Sequence, residues 1–390
     1  MKKFIKSFTA SFLLTIIFFS CKQEKVIQTA KIPIVKKDTV VNIDISAVGD
    51  IMCHSTQINY AREKDGNLNF KPSFEIIRNY FTSKDLVLGN LETAFAGSRR
   101  KYSGYPFFNT PDEFLDAIKY AGFNILFTSN NHAFDQGKYG VLRTIKEIKK
   151  RGMSNIGTYA SQRDRDSIRI IDLKGIKLAF LAYSYGTNGV RIPKGSKFLL
   201  SIIDTASIRS DLVKAKRQNP DVVIVYFHFG HEYFHKPTKF QKRIVEFTRE
   251  NGGDVIIASH PHTLQPVETF PLFSSKLDSG FTAYSLGNFI SNQRWRYSDG
   301  GAILNFSIQK NLNTNKVKIN NLSFLPFWVY KGKIKDKNNY LLLPLTRSSV
   351  SRSYPFLSPK DTLKMNQCIS DVLDIIHKST PRLKLITVDN

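Results

Sequence analysis

The chain has 390 residues, 42% of them hydrophobic and 23% charged, with a formal net charge of +25 at pH 7. That composition excludes a disordered or low-complexity chain and supplies a core for one large domain or two medium ones. Three cysteines far apart in sequence exclude a disulfide framework. A positive field of this size favours anionic polymers, phosphates or acidic lipid surfaces, or is simply a solvated basic face.

The chain opens on "MKKFIKSFTASFLLTIIFFSC", a basic start and an apolar run over residues 8–19 that ends in Ser20-Cys21. The run is too short, and wrongly flanked, for a stable membrane span; residues 1–20 read as a secretory signal. A cysteine behind a small residue, where the apolar run stops, resembles a bacterial lipoprotein signal. Lipidation of Cys21 would tether the mature chain to a membrane of the cell envelope. The leader holds three of the lysines and no acid, so +22 remains without it. Residues 21–40 are polar, lysine-rich and unpatterned, and are predicted to be a flexible tether.

From residue 40 the pattern alternates. "VNIDISAVGD" is a predicted strand ending at Asp50, "FEIIRNYF" a helix, and "DLVLGNLE" a short buried strand ending near Glu92. "TPDEFLDAIKYAG" is a helix with Thr110 as N-cap, Pro111 at its first position and Gly122 at its end. "FNILFTSNNH" is the next strand, and "YGVLRTIKEIKKRG" a helix followed by Gly152. "DVVIVYFHFGHE" and "DVIIASHPH" are strands separated by the helix "TKFQKRIVEFTRENGG", and "FTAYSLGNF" is a further strand. This alternation implies an α/β core whose sheets are covered by helices. After Ala302 the pattern turns strand-rich ("AILNFSIQ", "KVKINNLSFLPFWVY") and closes with a helix over residues 360–377. Without an internal repeat or a clean linker, residues 41–300 are predicted to form the main domain and 301–390 an elaboration of it.

Seven of the eight histidines (54, 132, 228, 231, 235, 260 and 262) fall at or just past predicted strand ends; only His377 lies in the tail. Strand carboxyl ends of an open α/β sheet are where sites form. The same ends carry Asp50, Glu92, Asn130, Asn131 and Asn288. Carboxylate, amide oxygen and imidazole together suit Zn²⁺, Mn²⁺ or Fe. "HFGHEY" matches neither order of the helical zinc-protease boxes and follows a strand. In "SHPH", His260 and His262 stand two apart, so in an extended chain both imidazoles face one side. Cys53 lacks a basic or helix-start cue to lower its pKa and reads as a buried small residue.

The segments "AVGDIMCH", "LVLGNLETAFAG", "YPFFNTPDEFLDAIKYAGFNILFTSNNHAFDQG", "YSYGTNG", "HFGHEY", "ASHPHTLQPVE" and "YSLGNFI" run in order over residues 41–290. Together they resemble the CapA family of bacterial capsule-synthesis proteins linked to poly-gamma-glutamate, which is similar to the calcineurin-like metallophosphatases. The resemblance implies an α/β four-layer αββα sandwich with metal ligands at strand ends. It makes Asp50, Glu92, Asn131, His228, His260 and His262 the ligands of one or two divalent ions, with Glu92 at the metal-bridging position, and His132 the catalytic histidine. Three departures stand out: Met52 replaces a histidine, Glu92 an aspartate, and Ser259 the glycine before the paired histidines.

Two functions fit. One is a metal-dependent hydrolase or transferase acting on a phosphoester or an anionic polymer, with His132 as general acid. Its basic, aromatic loops would grip substrate through Arg99, Arg100, Lys101, Arg294 and Arg296. The other is a lipid-anchored subunit of a capsule synthesis or export complex that binds the polymer around a structural or vestigial metal. No motif that reads nucleic acid is present, and none is expected as a partner.

Overall fold

The computed structural model describes residues 39–273 and 275–388; the leader, Cys21 and nearly all of the tether lie outside them. The chain first lays down a parallel half-sheet. β1 (Val40–Ile51), β2 (Leu86–Leu91), β3 (Ile125–Phe127) and β4 (Ser154–Ile156) stand side by side in that order. Between them run α1 (Ser55–Tyr60), α2 (Glu75–Thr82), α3 (Asp112–Ala121) and α4 (Gly137–Lys150). After α5 (Gln162–Asp166) a second sheet is built from β5 (Arg169–Leu173), β6 (Ile176–Ser184), β7 (Val222–His228), β8 (Val255–Ser259), β9 (Val267–Pro271) and β10 (Ser279–Ala283). Its spatial order is β5-β6-β7-β8-β10-β9, with α6 (Thr205–Arg217) and α7 (Lys239–Glu250) in the crossovers flanking β7.

The chain then returns to the first sheet. β11 (Asn288–Ile290) pairs with the tip of β1, and β12 (Gly300–Asn311), β13 (Val317–Ile334) and β14 (Lys337–Pro344) extend that sheet antiparallel beyond β1. α8 (Val350–Ser353), α9 (Pro359–Ser379) and β15 (Lys384–Leu385) complete it. "FTAYSLGNF" is therefore two strands in two sheets: the chain crosses between them through Gly287, at φ +66°. The helix over 112–121 starts one residue later than its sequence implies, with Pro111 as N-cap, because the Thr110 hydroxyl bonds Thr93 instead.

Side-chain alternation explains the layers. Leu178, Phe180 and Ala182 of β6, Val222, Ile224 and Tyr226 of β7, and Val255 and Ile257 of β8 share one core with Ile43, Ile45, Leu86, Leu88, Ile125 and Phe127 of the first sheet. The intervening residues face outward. Leu181, Tyr183, Val223, Val225 and Ile256 pack on Ile208 and Leu212 of α6 and Ile244 and Val245 of α7. Val87 and Leu126 pack on Ile77 and Phe81 of α2 and Leu115 and Ile118 of α3. The result is helix, sheet, sheet, helix, the arrangement the resemblance implied. Beneath the overhanging β12–β14, α9 packs on the inner face, burying Met365, Val372 and Ile376 against Phe324 and Trp328. Residues 301–390 thus widen the first sheet.

At the base of the sandwich, Asp221 beside β7 accepts from Lys310 Nζ of β12 at 2.7 Å and from the Lys177 backbone at 2.9 Å, bridging the two sheets. Burial pushes the Asp221 carboxyl up, but Lys310, the Lys177 amide and Lys276 outweigh it and hold it below its usual value. The stability from a depressed carboxylate is present above its unfolded pKa and is lost as pH falls through the folded one. Asp221→Asn is therefore expected to cost about 3 kcal/mol at pH 7, by leaving Lys310 buried without its counter-charge. In urea titrations below about pH 4 the gap to the parent protein should narrow; a constant gap would refute this assignment.

Candidate metal centre

The carboxyl ends of β1, β2, β7 and β8 meet between the two sheets. Inward parity carries β2 from Leu86 and Leu88 to Asn90, and β7 from Tyr226 to His228. β1 needs a correction to its parity. Ile43, Ile45 and Ala47 face inward, yet so does Asp50. A bulge between Ala47 and Asp50, where β1 advances three residues against two on β2, accounts for it. The bulge lies against the sheet-crossing turn: the Asp50 amide donates to Gly287 O at 2.9 Å. A Cβ on Gly49 would stand 1.8 Å from that same oxygen. Gly49→Ala is expected to lose about 2 kcal/mol or more of stability, because backbone must move to admit the methyl, and to weaken divalent-ion binding by displacing Asp50. Unchanged denaturant midpoint and ion affinity would refute both.

Asp50, Glu92 and His228 are fully buried, and Asn131, His132, His260 and His262 nearly so. Asn90 Nδ2 donates to Asp50 Oδ1 at 2.7 Å and Glu92 Oε2 at 3.3 Å, aligning the two carboxylates. Asn130 Nδ2 in turn donates to Asn90 Oδ1 at 3.1 Å. His262 Nδ1 lies 3.0 Å from Asp50 Oδ2 and 3.1 Å from Asn288 Oδ1. His228 Nε2 is 2.8 Å from Asn131 Oδ1 and 3.5 Å from Glu92 Oε1. Two ligand groups share one residue: Glu92, His228 and His260, and Asp50, Glu92 and His262, each with donor atoms within 4.8 Å of one another. Glu92 therefore stands between two candidate ion positions.

The electrostatics fit cations. Burial, then the Asp50 charge, pushes the Glu92 carboxyl well above its usual range. Asp50 feels the same burial, but the hydrogen bond and charge of His262 overcome it and hold its carboxyl at about 2. Burial lowers His228 to about 3 and drives His260 well below its ordinary value, so both are neutral imidazoles, the ligating form. Glu92 and Asp50 overcome burial at His262 and raise it to about 9, so an ion binding there would have to displace its proton. Glu92 Oε1 and His260 Nδ1 are buried without a hydrogen-bond partner among the described residues. Such atoms are costly unless something meets them, and a divalent ion would meet that need.

The paired histidines do not converge by strand alternation. β8 ends at Ser259, and His260 and His262 take φ of +108° and +57° around Pro261. Left-handed backbone in two non-glycine residues is strain of the kind found at functional sites, and it aims both rings into the cluster, 6.0 Å apart. Beside them His132 Nδ1 is 2.8 Å from Asp135 Oδ2, so the carboxylate accepts from Nδ1, while Nε2 lies 3.5 Å from Asn188 Nδ2. Burial lowers the His132 pKa, but Asp135 and Glu92 reverse this and raise it.

The remaining sequence candidates are scattered. His54 is the N-cap of α1 and accepts from the Asn292 amide at 3.2 Å. His231 is exposed and joins none of the ligand groups. Arg99 and Lys101 are exposed. Arg100 donates to Gln136 O at 3.2 Å and covers the Tyr139 ring. Arg294 turns inward over Trp328, and Arg296 forms a two-pronged pair with Asp371 of α9 at 2.7 and 2.8 Å. Burial pushes the Cys53 thiol up, consistent with an inert core residue. Sequence reasoning named the aromatic loops as a grip on substrate through their basic residues, and gave the rings themselves no separate role. Tyr105, Tyr185, Tyr233 and Trp295 are exposed, with Tyr185 4.5 Å from the His260 ring, Tyr233 5.2 Å from Trp295, and Tyr105 6.2 Å from His132. Exposed aromatic rings beside buried ligands were a findable signal only in "YSYGTNG" and "NQRWRY", where they interrupt polar loops.

Residues 44–293 match the family described as "Bacterial capsule synthesis protein PGA_cap". The chain belongs to that family. Among PGA_cap relatives, the PGA biosynthesis protein CapA of Bacillus subtilis is 25% identical over 327 residues, covering 82% of each chain. The capsule biosynthesis protein CapA of Bacillus anthracis is 27% identical over 277 residues, 69% of this chain and 64% of that one. Of solved structures, NAD nucleotidase from Haemophilus influenzae superposes with a TM-score of 0.47 at 14% identity, covering 90% of this chain and 65% of that one. A 5'-nucleotidase of Staphylococcus aureus gives 0.43 at 11% identity, covering 85% and 58%.

Proposed function

We propose that this protein is a metal-dependent hydrolase or transferase of the cell envelope, tethered through lipidated Cys21 and acting on poly-gamma-glutamate or another anionic polymer of the capsule. No helix among the described residues is long and apolar enough to cross a membrane, so the tether would rest on the leader and its cysteine. Asp50, Glu92 and His262 would hold one divalent ion, and Glu92, Asn131, His228 and His260 a second; oxygen and nitrogen donors without sulfur suit Mn, Zn or Fe. Bound ions would supply Lewis-acid polarisation of a substrate oxygen and positive charge to receive an anion.

The chain's own residues do the rest. Asn90 and Asn130 hold the carboxylates in register. His132, oriented by Asp135, donates a proton from Nε2 to the leaving group. Arg99, Arg100 and Lys101 lie on the loop that also carries Tyr105, whose ring meets His132, and would draw an anionic chain across the rim.

The His132–Asp135 dyad carries this reading, because ion binding alone has no need of an oriented imidazole outside the ligand groups. The test is to strip the leaderless chain of metal, reload it with Mn²⁺, and assay it against poly-gamma-glutamate and simple phosphoesters. Product release that requires the ion is expected. Full metal uptake without release from any of them would instead assign a polymer-binding or export-complex subunit.

A further inference from the structure

The motif "HFGHEY" contributes His228 to the centre, but Glu232 has no part in the account so far. The Glu232 carboxylate forms a third ligand group with His260 and His262, their donor atoms all within 4.8 Å of one another. It differs from the other donors in being exposed. It therefore faces the two histidines from solvent, whereas Asp50 and Glu92 face them from inside the sandwich.

Its backbone is fixed. The loop after β7 is stitched to the loop after β8 on both sides of Glu232. Phe229 N donates to Ser259 O at 3.1 Å, and Tyr233 N to Pro261 O, between the paired histidines, at 2.7 Å. Phe234 O accepts from Gln265 Nε2 at 2.7 Å and from Thr263 Oγ1 at 3.2 Å. Gly230 at φ +121° makes the turn, and Tyr233 accepts a left-handed φ of +65° to keep it. A strained, pinned loop that carries an exposed carboxylate against buried imidazoles is shaped to present that carboxylate. The unpartnered Nδ1 of His260 is an independent sign that the group awaits a ligand.

We propose that Glu232 is an exchangeable outer ligand of the metal pair: it closes the solvent side when no substrate is present and gives way to an anionic group of the substrate. This rests on the metal-binding reading above. A pair of divalent cations carries more charge than Asp50 and Glu92 neutralise, and a third carboxylate reduces the excess. An incoming phosphate or carboxylate replaces it without changing the sign of the site. A flexible, solvated glutamate can be displaced at low cost, whereas the buried ligands cannot.

The experiment is calorimetric titration of Mn²⁺ into the chelator-stripped mature chain, then of inorganic phosphate into the Mn²⁺-saturated protein. Glu232→Gln is expected to weaken Mn²⁺ binding about 10- to 100-fold. It is also expected to tighten phosphate binding by about fivefold or more, since the competing carboxylate is gone. Opposite signs are the mark of an exchangeable ligand. Glu232→Asp, which keeps the charge, should fall between the two and control for damage to the loop. Unchanged Mn²⁺ affinity, or both affinities weakening together, would overturn the proposal while leaving the metal centre intact. Failure of the parent protein to take up Mn²⁺ would overturn the metal-binding reading itself, and this proposal with it.

Discussion

Glu92→Gln is expected to leave no divalent ion that survives desalting and, at the same time, to stabilise the metal-free protein. Glu92 is the residue common to both buried ligand groups, so its loss would remove a donor from each proposed ion. His262→Ala removes a donor from only one of these two buried groups, and should retain one tightly held ion through Glu92, His228 and His260. The stability effect has the opposite sign because Glu92 is an unfavourable residue without its cation. It is fully buried, its Oε1 has no hydrogen-bond partner among the described residues, and both burial and Asp50 disfavour its charge. A buried charge without its counter-ion is costly, and glutamine removes that charge at nearly constant shape. In the parent protein, metal at a hundred times its dissociation constant should add about 2.7 kcal/mol; in Glu92→Gln that increment should vanish. Elemental analysis of desalted protein, with thermal unfolding before and after chelation, reads both effects. Two retained ions in the variant, or a variant less stable than the parent after chelation, would remove Glu92 from its bridging place.

The gathering of these polar side chains at one place was legible because strand ends are stiff mounts and their residues stand out against apolar runs. His228 follows "VVIVYF" and His260 follows "VIIAS", so sequence alone placed both at the mouth of a sheet. The order of helices and strands around them was readable for the same reason. Four features were not. The inward aim of Asp50 depends on a bulge, which changes parity without leaving a mark in composition. The convergence of His260 and His262 depends on left-handed backbone, where alternation predicted an extended chain. The side chains of Arg294 and Arg296 were read as facing substrate, yet Arg296 meets Asp371 on a helix more than seventy residues away in sequence. Partners at that separation belong to tertiary packing, and local pattern carries no information about them. The switch between sheets at Gly287 was hidden likewise, because "FTAYSLGNF" is apolar on both sides of the break.

His132→Ala is expected to lower turnover by about 10²- to 10⁴-fold, the range for loss of a positioned general acid, with ion content unchanged. His132 is absent from every ligand group, so removing it should not release metal; this separates a chemical role from a structural one. Its backbone is held independently, by donation from His132 N to Asn130 Oδ1 at 3.2 Å, so the truncated variant should keep the network that aligns Asn90 and the carboxylates. Asp135→Asn should give a smaller fall, since an amide in place of the carboxylate no longer fixes the proton on Nδ1 but leaves the imidazole present. The leaving group supplies the sharper readout. A proton donor matters most when the departing group is a poor one, such as an alkoxide or amine, and least for a nitrophenolate that departs without protonation. The defect of His132→Ala should therefore shrink sharply on nitrophenyl substrates, and added imidazole should restore part of the rate on the others. An equal loss on all substrates, or loss of metal alongside activity, would show that His132 shapes the centre and leaves the proton to another group.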